Sequence, residues 1–158
     1  MPAVKARSRR VLSAEILSLQ AFVIFLATAL IYGVPAKAQD QAGRLTVELN
    51  KFEDDPGGSC RAFFLFRNKT GLTLEGFEMS LAILNTGGVI DRLLTIDAAP
   101  IPVARTTLKL FEIPQTRCDS ISEVLLHEIG SCRPQNSDEI DCFPLLDLTS
   151  RTSAPLVQ

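Results

Sequence analysis

Residues Ile121–Ile129, ISEVLLHEI, decide the fold class of this chain. Two periods fit them. As a helix, the segment would be capped by Asp119 or Ser120, with Glu123 closing a capping box on Ser120. As a strand, Ser122, Val124 and Leu126 alternate with Glu123, Leu125 and His127. Cys118 lies just before the segment and Gly130 just after it, which leaves nine to ten residues, short for a helix. A strand is therefore expected, and with it an all-β protein.

The surroundings agree. Leu45, Val47 and Leu49 alternate with Thr46, Glu48 and Asn50, as a strand with one buried face would. The turn-forming EDDPGGS (53–59) follows, and then CRAFFLFRN (60–68), apolar on both alternating sets, as in a central strand covered on both faces. Asn68-Lys69-Thr70-Gly71 is a turn. Phe77, Met79, Leu81 and Ile83 alternate with polar or small residues, and Asn85-Thr86-Gly87-Gly88 suits a tight hairpin. VIDRLLTI (89–96) and TTLKLFEI (106–113) are further strands, separated by a segment in which Pro100 and Pro102 remove hydrogen-bond donors. Six strands at such spacings, with a seventh allowed, argue for an immunoglobulin-like β-sandwich over residues 39–142. Residues 143–158, FPLLDLTSRTSAPLVQ, are expected to form a mobile C-terminal tail.

The N-terminal 38 residues follow different rules. Lys5, Arg7, Arg9 and Arg10 make a basic start, and Ala21–Val34 is an uncharged run of 14 residues. Ala36-Lys37-Ala38 then offers the small-x-small site of signal peptidase. A membrane-spanning helix needs about 20 apolar residues, so residues 1–38 read as a signal peptide cleaved after Ala38. Ser8-Arg9-Arg10-Val11-Leu12 resembles the twin-arginine export motif, the alternative being a general secretory signal that contains two arginines.

Export changes the arithmetic. The precursor has 158 residues and a net charge of −2; residues 39–158 hold 11 basic and 17 acidic side chains, a net charge of −6. That balance disfavours nucleic acid as a partner. Tyr32 leaves with the leader and the chain has no Trp, so the aromatic residues that remain are seven Phe. Carbohydrate binding by a sandwich usually uses exposed Trp or Tyr, and the Phe residues fall on strand positions where packing is the default.

Cys60, Cys118, Cys132 and Cys142 all lie in the exported part, where four cysteines imply two disulfides and allow three connectivities. The favoured pairing is Cys60–Cys118, tying an early strand to a late one, with Cys132–Cys142 closing a short polar loop. No C-x-x-C is present, and His127 is the only imidazole, so neither a redox motif nor a zinc site is supported. A nucleophilic triad would need unusual parts around His127, and no catalytic residue, cofactor or metal is assigned. Glu53/Asp54/Asp55 and Asp138/Glu139/Asp141 group carboxylates in turns, without the cleft a glycosidase needs or the pattern of an EF-hand. The acidic loop with Asp138, Glu139 and Asp141 is the candidate binding loop. A small hydrolase with a site near His127 is the competing reading.

Phe64 and Phe66, the turn Asn68-Lys69-Thr70-Gly71, the row Phe77/Met79/Leu81/Ile83 and the turn Asn85-Thr86-Gly87-Gly88 resemble bacterial immunoglobulin-like modules of the FxLYD and CARDB sort. Cys60 and Cys118 depart from that pattern, which commonly lacks cysteine. The whole chain is similar to uncharacterised alphaproteobacterial exported proteins named only for a twin-arginine signal sequence domain. Taken with the leader and the paired cysteines, the expected protein is periplasmic or secreted, without a membrane span after cleavage, and acts by binding an envelope protein or ligand or as an envelope-associated structural module. Neither resemblance supplies catalytic residues.

Overall fold

The computed structural model describes residues 43–158. The signal-peptide reading, with Arg9, Arg10, Ala36 and Ala38, lies outside the described residues. Eight strands follow in order: β1 (Leu45–Asp54), β2 (Cys60–Asn68), β3 (Leu74–Asn85), β4 (Ile90–Asp97), β5 (Thr106–Ile113), β6 (Ile121–Pro134), β7 (Leu146–Ser150) and β8 (Leu156–Val157). Among the described residues the only helical turns are two short 3-10 segments, Cys118–Ser120 and Phe143–Leu145. The described residues are all-β, as the period-two patterning requires.

The strands form two four-stranded sheets, ordered β5-β2-β1-β7 and β4-β3-β6-β8. Their inner faces share one core, as in a β-sandwich. Leu45, Val47, Leu49, Phe64 and Phe66 come from the first sheet; Phe77, Met79, Leu81, Ile83, Val124 and Leu126 come from the second. Phe66 and Phe77 meet between the sheets edge-to-face, with ring centroids 6.1 Å apart. Contrary to the expectation of cover on both faces, β2 is buried on alternate residues only. Its other set, Arg61, Phe63, Leu65 and Arg67, lies half-exposed on the outside of the sandwich.

The segment that looked ambiguous is a strand, and its ambiguity has a structural cause. Against β3, β6 skips Ser122, His127 and Gly130 in its pairing, so it carries three bulges. Each bulge inserts one residue before the strand turns the same face inward again. The inward residues are thus Ile121, Val124, Leu126, Ile129, Cys132 and Pro134, spaced by 3, 2, 3, 3 and 2. That spacing mimics part of a helical repeat while the backbone stays extended.

The turns are braced as their residues suggest. Gly88 takes φ +73° in the β3–β4 hairpin, where Asn85 Oδ1 accepts the Gly87 N–H at 2.9 Å. After β2, the buried Asn68 donates to the carbonyls of Leu72 (2.7 Å) and Ile101 (3.0 Å) while Oδ1 accepts from the Thr70 N–H (3.0 Å) and hydroxyl (2.7 Å). One side chain thereby holds the turn and the β4–β5 connection together.

Residues 143–158 correct the expected tail. β7 pairs in parallel with β1, Leu45 opposite Leu146, and β8 pairs in parallel with β6. Leu146, Ala154 and Leu156 are buried, so the last residues complete both sheets on one side. Too few apolar residues alternate there for either strand to show in the sequence. Each is specified by the neighbour it covers.

Candidate functional site

Both disulfides of the favoured pairing form: Cys60–Cys118, with Cα atoms 4.9 Å apart, and Cys132–Cys142, with 6.1 Å. No described cysteine is free. Two such bonds suit an oxidising, extracytoplasmic compartment. Among the described residues no helix is long and apolar enough to cross a membrane.

The structure divides the acids of the candidate loop. Glu139 accepts a hydrogen bond from the Ser131 hydroxyl at 2.8 Å, and Asp141 accepts the Phe143 N–H at 3.0 Å, at the start of a 3-10 turn. Both hold the loop's own ends. Asp138 differs, lining an open groove of about 410 Å³ with Glu75, Arg133, Asn136 and Ser137. The earlier acidic cluster is also structural. Glu53 is paired with Lys51 and Arg61, Asp54 accepts the Cys118 N–H at 2.9 Å, and Asp55 accepts the Gly57 N–H at 2.9 Å. His127 sits exposed at the middle bulge of β6 and lines neither this groove nor a second cavity, formed beside the β3–β4 hairpin by Asn85, Asp91, Thr116 and Arg117.

Two features escaped the sequence. The first is Glu48, on the outer face of β1 yet only 4% exposed. Arg67 reaches it at 2.8 Å, Asn50 donates at 2.7 Å, and Arg151 approaches to 3.7 Å. The Arg67 hydrogen bond, helped by Asn50, holds its carboxyl below the usual carboxylate range. Arg67 and Glu48 are two strands' outward residues, which no local pattern links.

The second is the side of the sandwich where β4 and β5 run as sheet edges. Their outward residues include Leu93 (62% exposed), Leu108 (59%), Ile90 (56%) and Leu110 (46%). In the β2–β5 register Leu108 lies beside Leu65 and Leu110 beside Phe63. On the other sheet Leu93, Ala82, Leu125 and Val157 make one row across β4, β3, β6 and β8. Among the inward residues of these edges each strand carries one cation: Arg92 donates to the Pro114 carbonyl and Lys109 to that of Ala99 at 2.8 Å. A charge turned inward from an edge strand opposes the stacking of further sheet on that edge. The signal for the apolar surface was present in TTLKLFEI, where Leu108 and Leu110 occupy the set opposite to Phe111 and Ile113.

No family model matches the chain, and no curated protein matches it. The solved structure of IrmA from Escherichia coli is similar in fold, with a TM-score of 0.52 and 14% identity. The match covers 66% of this chain and 90% of IrmA. At that identity the likeness speaks to the fold alone.

Proposed function

We propose that the chain is an exported, non-catalytic binding module of the bacterial envelope, an immunoglobulin-like sandwich released from its leader after Ala38. Arg9 and Arg10 mark the twin-arginine route as its way out. The observation that carries the binding reading is the aliphatic strip on the outer face of β5 and β2. Scattered single apolar residues are ordinary on a surface, whereas Leu108 and Leu110 lie against Phe63 and Leu65 as one strip. Arg61, Glu112, Glu53 and Arg67 border the strip with both signs of charge, which fits a polypeptide better than a polyanion. The two disulfides support the compartment.

In-cell photocrosslinking tests this. A photoreactive residue placed at Leu108 or Leu110 should trap one discrete envelope protein, and Phe63→Asp should abolish that product without lowering the protein's level. The same residue placed at Asp138 should trap nothing. Crosslinks confined to Asp138 would return the binding role to the acidic loop. Hydrolytic activity of the exported protein that disappears in His127→Ala would favour the competing hydrolase.

A further inference from the structure

The β3–β4 hairpin end and the connection from β5 to β6 enclose a cleft of about 300 Å³. It is lined by Asn85, Asp91, Thr116, Arg117 and Ser120 over the buried Ile83 and Ile121. This volume is at the small end of ligand-binding cavities.

One wall of the cleft is held from several directions. Cys118 is bonded to Cys60, and its N–H donates to Asp54 at 2.9 Å. Pro114 accepts from Arg92, and the Ser122 hydroxyl donates to the Asn85 carbonyl. Between these fixed points Gln115 takes φ +54°, a left-handed conformation that a non-glycine residue rarely adopts and that surrounding structure must enforce. The wall is pre-organised rather than slack.

The polar groups in it are incompletely used. Thr116 is 6% exposed, yet its hydroxyl finds acceptors only at 3.3 Å (Pro114 carbonyl) and 3.4 Å (Asp91), and one proton serves one of them at a time. Asp91 takes Arg92 and Thr116 on Oδ2, so Oδ1 has no donor among the described residues. Arg117 gives Nε and Nη2 to Asp119, at 3.2 and 3.1 Å, and keeps Nη1. Asn85 accepts the Gly87 and Val89 N–H groups on Oδ1, which fixes its amide orientation and leaves both Nδ2 protons free.

The charges around the cleft sum to zero, since Asp91 and Asp119 face Arg92 and Arg117. A lone cation or anion entering here would meet a like charge as well as an opposite one. A dipolar guest satisfies both. We propose that this cleft binds a small zwitterion, an α-amino acid with both ends free, its ammonium on Asp91 and its carboxylate on Arg117 and the Asn85 amide. Thr116 supplies the hydroxyl between them. An aliphatic side chain fits the Leu84 side, whereas a sugar would find no aromatic platform among the lining residues. The site is open on one side, and a ligand of about ten atoms then binds with a Kd of roughly 0.1–1 mM. This reading is independent of the apolar side that carries the docking proposal.

The test is an NMR titration of the oxidised exported protein with L-leucine, N-acetyl-L-leucine, L-leucinamide and glucose, each to about 10 mM. Leucine should give saturable amide shifts at 83–85, 91 and 115–121, and each blocked form should bind about ten times more weakly. In Arg117→Gln, leucine should fall to the level of leucinamide, with leucinamide itself unchanged. In Asp91→Asn, leucine should fall to the level of N-acetyl-leucine. Arg117 is exposed, so its variant keeps the test valid should Asp91→Asn, which also releases Arg92, weaken the fold. Absence of saturable shifts in the folded protein would overturn the proposal. So would equal responses to free and blocked leucine, shifts mapping elsewhere, or an equal response to glucose.

Discussion

Leu146 and Leu108 are the same residue type on two sheet edges, and they should respond oppositely to truncation. Leu146 in β7 is 1% exposed, opposite Leu45, and its carbonyl accepts from the Arg44 guanidinium. Leu108 in β5 is 59% exposed. A buried Leu→Ala substitution costs the transfer free energy of the lost methyls plus that of the cavity, about 2–5 kcal/mol. β7 is a five-residue edge strand near the chain end and can move inward, so the lower part applies, about 2–3 kcal/mol. Leu108→Ala deletes atoms that already meet water and should change stability by no more than about 0.5 kcal/mol. Urea unfolding of the oxidised proteins, fitted by linear extrapolation, measures both, and the Leu146 variant should melt about 10 °C lower. Loss of less than about 0.5 kcal/mol at Leu146 would refute the claim that residues 143–158 belong to the cooperative fold. A markedly lower m-value for that variant would refute it too, since β7 would then detach before the rest unfolds.

Three further outcomes follow from the bonds described. Replacing Cys60 and Cys118 with Ser should cost roughly 4 kcal/mol and replacing Cys132 and Cys142 roughly 3, because the longer loop loses more chain entropy on closure; equal losses on urea unfolding would contradict that ordering. Asn68→Ala leaves the carbonyls of Leu72 and Ile101 and two Thr70 donors without their buried partner, and should cost about 2–4 kcal/mol, against a negligible effect for Lys69→Ala in the same turn. Glu48 has a carboxyl held below its ordinary value in the fold, so its stabilisation is complete above about pH 5 and is lost as pH falls through about 4.3 towards the folded value. Glu48→Gln should therefore flatten the stability profile below about pH 5, and an unchanged acid limb in pH-dependent denaturation would rule Glu48 out as a contributor.

What the sequence made legible follows from how local each signal is. β5 coincides with the expected Thr106–Ile113, because its alternation is uninterrupted and Pro114 ends it. The Asn85–Gly88 hairpin was legible because positive φ falls on a glycine. The disulfide pairing followed from chain separation and loop length. By contrast, the Glu48–Arg67 pair, the Leu65–Leu108 neighbours of the apolar strip and the Asp91–Arg117 cleft join residues 19, 43 and 26 positions apart. Such sites depend on register, which a one-residue slip would invert. The acidic loop misled for a related reason: Glu139 and Asp141 look free in sequence, but each meets a donor that the loop's own closure brings to it.

The bulges of β6 show how one register problem settles several features together. Without the extra residue at Gly130, the side chain at 132 would point outward, and Cys132 could not be buried to meet Cys142. Gly130 is suited to this place, since a Cβ there would come within 2.7 Å of a Glu78 carboxylate oxygen. The bulge at His127 likewise lifts the imidazole out of the paired ladder onto the exposed side, away from the core and from the lined cavities. The three insertions therefore account for the helix-like spacing, the placement of the second disulfide and the isolation of the one histidine. Gly130→Ala should then cost no more than about 0.5 kcal/mol, because the exposed Glu78 carboxylate can swing aside from the added methyl. A loss above about 1 kcal/mol on urea unfolding that persisted in a Glu78→Ala background would mean that the bulge itself demands glycine, and this account of it would fail.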